Sequence, residues 1–261
     1  MTKDAIVRAV KAERRRTLSL LLPLDPSRFD TPTDLPGWRV REVVAHLVTL
    51  DRATVLGANL HVVFGDMSRI ERWNERQVPS WANRPAADLL LGLDRWGRRL
   101  AGLYRAIPMA LYRLRVPTYL GRAPLGVLLW SRAYDEWVHR QDIRRSLGLA
   151  DDDVDVAPAT EFVLTAIGVD TLGKLRGRRG RIGVSLKDAP LAPWQFDLAG
   201  GSSGPEDASV PVDARISAPA PAFIMAAAGR GTFDALLAEG TLSVEGDEAL
   251  ARDFLHVLRI V

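Results

Sequence analysis

The stretch Ala133–Arg145, AYDEWVHRQDIRR, carries three acids and one histidine over about three helical turns. Asp135 and His139 are four apart and Asp142 follows three later, so on a helix all three project from one face. Val127, Trp130, Tyr134, Trp137 and Val138 gather on another. Two readings are open. In one, the aromatic face is buried and the acid–histidine face is wet. In the other, a carboxylate and an imidazole four apart form half of a divalent-cation site facing the interior of a helix bundle. Glu136 is then a spare carboxylate that could replace or support Asp135, and Asp142 could orient a ligand.

A third ligand would be His46, in VREVVAHLVTLDRA. It shares a helical stripe with Val43, Leu50 and Ala53, which makes it either a satisfied core histidine or a ligand pointing inward. Two nitrogens and one oxygen around a cation leave room for water or substrate. Zinc suits that donor set, with nickel, iron and manganese as alternatives. His61 and His256 receive no role. No His-Glu-x-x-His or Gly-x-Ser-x-Gly pattern occurs, so any site must be assembled from separate helices.

The chain has no cysteine. That excludes disulfides, cysteine-type zinc sites and a catalytic protein thiol, so any thiol chemistry must use sulfur carried in by a small molecule. Net charge is only +3 although arginine dominates the basic residues. Arg14-Arg15-Arg16, the one run of three consecutive basic residues, reads as a solvated helix face rather than a nucleic-acid patch. Apolar runs such as Leu18–Leu22 are far too short to span a bilayer, and no charged-then-apolar leader opens the chain. The expectation is a cytoplasmic protein, monomer or homodimer, with small-molecule partners and neither nucleic acid nor membrane.

Apolar residues recur at helical spacing over 4–22, 40–64, 85–107 and 124–148, which predicts a four-helix bundle over residues 1–150. Residues 66–83 read as irregular and 108–123 as a connection. The acidic stretch LADDDVDVAPA (149–159) marks a boundary. Over 151–261, a helix at 160–174 precedes β-like runs at 181–186, 194–199, 208–217 and 241–246, interleaved with helical patterns at 219–228, 232–238 and 247–259. The fold class is α+β, a helical bundle followed by a small α+β domain. GGSSGPED (200–207) lacks the Lys-Ser/Thr ending of a phosphate loop and reads as a hairpin or surface loop.

TPTDLPGWRVREVVAHL (31–47) and YDEWVHRQDIRRSLG (134–148) together resemble the two motifs of the mycothiol-dependent maleylpyruvate isomerase family, a branch of the DinB-like metal-binding four-helix bundles. More loosely, AAAGRGTFDALLAEGTLSVEGDEALARDFL (226–255) is similar to that family's sterol-carrier-like C-terminal domain. The resemblance implies His46, Asp135 and His139 as metal ligands and Arg230 as the arginine that helps bind substrate or thiol. It also implies mycothiol as cofactor beside the divalent metal, an actinobacterial source and a small-molecule electrophile as substrate. The implied activity is thiol S-transfer or maleylpyruvate-type cis–trans isomerisation by a metal-bound thiolate.

Two positions depart from the pattern. Asp135 stands where Glu is usual and is one methylene shorter, so the metal must sit closer to the helix, or Glu136 must contribute, or the metal is weak or absent. Arg39 stands where a Ser/Thr cap is common, three before Glu42, leaving a capping box incomplete. The competing functions are a non-catalytic, metal-free binding or stress protein on the same fold, and a metal-dependent hydrolase that needs no thiol.

Overall fold

The computed structural model describes residues 2–59, 67–154, 156–175 and 177–260. Its contacts divide the chain into two units, Met1–Asp151 and Asp152–Val261.

The first unit runs α1 (Lys3–Leu21), α2 (Val40–Leu56), α3 (Met67–Gln77), α4 (Pro79–Ala82), α5 (Ala86–Ala106), α6 (Met109–Tyr112), β1 (Arg115–Thr118), β2 (Gly121–Pro124) and α7 (Leu125–Ser146). The long helices α1, α2, α5 and α7 form the bundle: α5 packs on α1 and α2, and α7 packs on the same two. Thr2 starts α1 by accepting from the Ala5 N–H, which satisfies one of the free first-turn donors. The α2–α5 seam is filled by Val43, Val44, Leu47 and Val48 against Leu89 and Leu93, all fully buried. Each contributes about 1.5–3 kcal/mol through burial.

α2 begins with half a capping box. The Glu42 carboxylate accepts from the Arg39 N–H at 2.8 Å, while the Arg39 guanidinium pairs with Glu42 and Asp30 instead of supplying the missing acceptor. The helix ends at Leu56 rather than Phe64, because Gly57 adopts a left-handed φ of 68° and turns its N–H back to Ala53 and Thr54. His61 and the rest of 60–66 lie outside the described residues.

Three other expectations are corrected. The segment read as irregular over 66–83 is helical over Met67–Gln77 in α3 and Pro79–Ala82 in α4, residue 66 lying outside the described residues; Ile70, Trp73, Asn74 and Gln77 are half-buried at helical spacing, a stripe masked by the charges between them. The 108–123 connection holds α6 and the β1–β2 hairpin, which packs against α7. Arg14 does not lie on a solvated face: it is 5% exposed and paired with acids of two other helices.

The wet-face reading of α7 is likewise overturned. From Gly126 to Ile143 every residue is buried except the half-buried Ser131 and Asp135. α1, α2, α6 and the β1–β2 hairpin all pack on α7, and its polar residues pair in the interior with Glu13 and Arg14 of α1 and Asp51 of α2.

The second unit runs α8 (Val156–Lys174), β3 (Arg181–Lys187), β4 (Trp194–Asp197), β5 (Ser202–Pro205), β6 (Ala214–Pro219), α9 (Ala220–Ala227), α10 (Phe233–Ala238), β7 (Ser243–Gly246) and α11 (Glu248–Val257). The sheet order is β5-β4-β3-β6-β7, antiparallel except for the central β3–β6 pair, whose register sets Ile182 beside Ala214 and Val184 beside Ile216. GGSSGPED supplies β5, hairpinned onto β4. The 208–217 run is a strand only from Ala214, consistent with Pro211, which cannot donate to a ladder. α8 starts inside the acidic boundary, with Pro158 in its first turn. Phe196 packs on Phe254 and Phe223 on Phe233, each pair 5.1 Å between ring centres.

Candidate metal centre

α2 and α7 bring His46, Asp135 and His139 together. Each offers one ligand atom, and these atoms all lie within 4.8 Å of one another. His46 Nε2 stands 3.6 Å from Asp135 Oδ1, and His139 Nε2 stands 3.5 Å from the same oxygen. Both separations exceed a good hydrogen bond. Among the described residues His46 Nε2 is a buried nitrogen with no hydrogen-bond partner. The imidazole rings meet edge to face, 4.9 Å apart.

The opposite nitrogen of each ring is held. His46 Nδ1 donates to Asn74 Oδ1 of α3 at 3.1 Å, and His139 Nδ1 donates to Asp142 Oδ2 at 2.9 Å. Nε2 of each ring faces the Asp135 oxygen, and in the Nδ1–H tautomer each presents there the lone pair that a metal ligand needs. Trp38 packs beside both imidazoles, 5.4 Å from His46 and 6.2 Å from His139. It is placed there by a tight turn: Gly37 takes φ 76°, the Trp38 N–H returns to the Leu35 carbonyl, and Trp38 O accepts from the Thr33 N–H.

Burial pushes the His46 imidazole below its ordinary value, with Asp135 only partly opposing, so His46 is neutral at pH 7. Burial alone would raise the Asp135 carboxyl. His139, His46 and Arg132 together outweigh it and hold Asp135 well below the usual carboxylate range. Its side chain keeps 29% exposure, so the centre is open to solvent on the carboxylate side.

Glu136 is not part of this cluster. It is fully buried and bound to Arg14, with Oε1 2.6 Å from Nε and Oε2 2.8 Å from Nη2. Arg14 Nη2 also reaches Asp51 Oδ2 at 2.6 Å, and Asp51 Oδ1 accepts from Arg132 Nε at 2.7 Å. Arg132 Nη1 donates to Asp135 Oδ2 at 3.1 Å. A continuous ion-paired network thus runs from α1 through α2 to the candidate centre on α7. Asp142, expected as an orienting group, does orient His139. Asn74, Arg132, Asp51 and Arg14 were not anticipated as its neighbours. The i, i+3 spacing of Arg132 and Asp135 could have signalled one of them; Asn74 lay in a segment read as irregular.

Arg230 belongs to the second unit, in a turn between Gly229 and Gly231, both at left-handed φ. It is half-buried, and its Nη1 donates to the Ala228 carbonyl at 2.6 Å. His256 is exposed at the end of α11.

Among the described residues no helix is long and apolar enough to cross a membrane. A family model described as the mycothiol maleylpyruvate isomerase N-terminal domain matches residues 10–144, and one described as the SCP-2 sterol transfer family matches residues 167–259. Among solved structures the chain is similar to a mycothiol-dependent maleylpyruvate isomerase at 16% identity, over 88% of this chain and 90% of that one, with a TM-score of 0.58. It is similar over the same shares to a histidine-to-alanine mutant described by the same enzyme name, with a TM-score of 0.55. At that identity the likeness is one of fold: a DinB-like helical domain followed by an SCP-2-like α+β domain. No curated protein matches. With the N-terminal model spanning more than half of its length, the chain belongs to the mycothiol maleylpyruvate isomerase N-terminal domain family.

Proposed function

We propose that this chain is a mycothiol-dependent metalloenzyme, a thiol S-transferase or a maleylpyruvate-type cis–trans isomerase, with His46, Asp135 and His139 holding a divalent cation. The observation that carries the reading is the buried, unpartnered His46 Nε2 aimed at an oxygen that His139 Nε2 also faces. Ligands about 2.0–2.1 Å from a tetrahedral zinc stand about 3.4 Å apart. The two N···O separations of 3.6 and 3.5 Å are within a small side-chain rotation of that. This supports Asp135 as a reaching ligand despite its short arm, and weighs against a metal-free relic.

When bound, a divalent cation with an open position stabilises thiolate at neutral pH. The protein groups prepare that position. Asn74 and Asp142 hold the Nδ1 protons, keeping both Nε2 lone pairs free. Asp135 supplies one ionised oxygen. Trp38 shields one side of the imidazoles, while the partly exposed carboxylate side admits a small thiol. The thiolate sulfur adds to one carbon of an activated double bond, and the π pair moves onto the activating carbonyl as an enolate. Isomerisation follows if the former double bond rotates, the enolate re-forms it and the C–S bond breaks to release the thiolate; S-transfer follows if the α-carbon instead takes up a proton equivalent to the one the thiol lost, leaving the C–S bond in place. Arg230 is assigned to a carboxylate of substrate or thiol, for which its planar fork of donors is suited.

Elemental analysis of purified protein tests the centre. The wild type is expected to carry one divalent ion per chain, and His46→Ala and His139→Ala to carry none; full metal content in both variants would sink the assignment. Incubation with mycothiol and a maleyl-type electrophile separates the reactions. An isomerase returns the thiol, a transferase consumes it one for one, and a hydrolase turns over without it.

A further inference from the structure

Arg132 lies three residues before Asp135 and is 5% exposed. Its guanidinium is fastened by two hydrogen bonds, Nε to Asp51 Oδ1 at 2.7 Å and Nη1 to Asp135 Oδ2 at 3.1 Å, while Nη2 makes no hydrogen bond and lies 3.3 Å from Glu136 Oε2 as a charge contact. The anchors are themselves fixed, because Arg14 of α1 binds the other oxygen of Asp51 and both oxygens of Glu136. The two oxygens of Asp135 therefore have different partners. Oδ2 is bonded to Arg132, and Oδ1 is the oxygen that stands nearest both imidazoles.

We propose that Arg132 is a positioning residue that clamps Oδ2 of Asp135 and thereby makes the carboxylate a single-oxygen ligand whose Oδ1 is held toward the centre. This rests on the metal reading given above. A free aspartate turns about its Cβ–Cγ bond and can offer both oxygens to one cation. Here a buried planar fork holds one of them, which the geometry of arginine permits and that of lysine does not. Two consequences follow. The short arm of Asp135 is compensated by fixed orientation, and a single-oxygen carboxylate with two imidazoles leaves a coordination position open to an incoming sulfur.

A double-mutant cycle on zinc affinity tests this, with Kd measured by competition against a chromophoric chelator on metal-free protein of the full chain. The four proteins are the wild type, Arg132→Lys, Asp135→Glu and the double variant, each checked for unchanged far-ultraviolet circular dichroism. Arg132→Lys keeps the charge but loses the fork, and is expected to weaken zinc binding about 10–100-fold, as loss of a group supporting a ligand does. In the Asp135→Glu background, where the longer arm reaches unaided, the same change should weaken binding less than about threefold. Equal losses in the two backgrounds, or no loss in either, would overturn the positioning role. A wild type that binds no zinc would instead refute the metal reading itself. Should Arg132→Lys fail to fold, Asp51→Asn, which loosens the anchor of Arg132 without touching Asp135, carries the same cycle with the same outcomes.

Discussion

Arg14→Met is the sharpest probe of the interior network. Methionine keeps an apolar stem of similar length on α1 but deletes the cation. In the native unit that cation is on a buried side chain and binds Glu136 at 2.6 and 2.8 Å, Asp51 at 2.6 Å and the Leu93 carbonyl. Removing one partner from a buried ion pair costs about 3–5 kcal/mol, because an uncompensated charge stays behind. Both acids keep a second cation, Arg132, at 2.7 Å from Asp51 and 3.3 Å from Glu136. The expected loss is therefore at the lower end, about 3 kcal/mol, a large share of the 5–15 kcal/mol typical of a domain. Urea unfolding followed by tryptophan fluorescence reads it out. Six of the seven tryptophans lie in residues 1–151 and report that unit. The companion variant Arg14→Met/Glu136→Leu removes an acid along with the cation and should recover to within about 1–2 kcal/mol of the wild type. A single variant within about 1 kcal/mol of the wild type, or a double variant no more stable than the single, would refute the idea that Arg14 is held by charge compensation.

Gly97→Ala should destabilise the first unit by about 1–3 kcal/mol in the same urea experiment, since a methyl there overlaps the Arg14 guanidinium. Helix propensity alone favours alanine by about 1 kcal/mol, so a stabilised variant would contradict the packing. Burial pushes the Glu13 carboxyl up to about 8, with Arg140 3.2 Å away opposing. The folded state holds that proton more tightly than the unfolded one, so the stabilisation is present below about 4.5 and lost as pH rises through about 8. Glu13→Gln should therefore compare more favourably with the wild type at pH 8.5 than at pH 5, by at most about 5 kcal/mol; a pH-independent difference in urea midpoints would count against it. Asp142→Asn should weaken zinc binding about tenfold in chelator competition, because the Nδ1 partner of His139 loses its charge. Unchanged affinity would mean that this contact plays no part in holding the ring.

The elements that carry a clean period were legible: the bundle helices, the β4–β5 hairpin turn and the core strand β3 all announce themselves through apolar spacing and turn residues. α3 was not, because charged residues crowd its half-buried stripe. The end of α2 was misplaced because apolar residues continue past Gly57, and only the left-handed conformation of that glycine shows the stop.

At the centre, the sequence by itself determined which side chains share a helix face. Four-residue spacing aligns Asp135 with His139, and the heptad-like stripe of Val43, Leu50 and Ala53 turns His46 inward. Whether that face was wet or buried could not be read from α7, whose apolar residues nearly encircle it. The packing of α1, α2 and the β1–β2 hairpin around α7 decided that, since its aromatic and polar residues are both buried. Only the tertiary structure separated Asp135 from Glu136 as partners of the imidazoles. The two acids are neighbours in the chain, but an α-helix turns successive residues by about 100°. One therefore meets His46 and His139 while the other meets Arg14, 122 residues away along the chain.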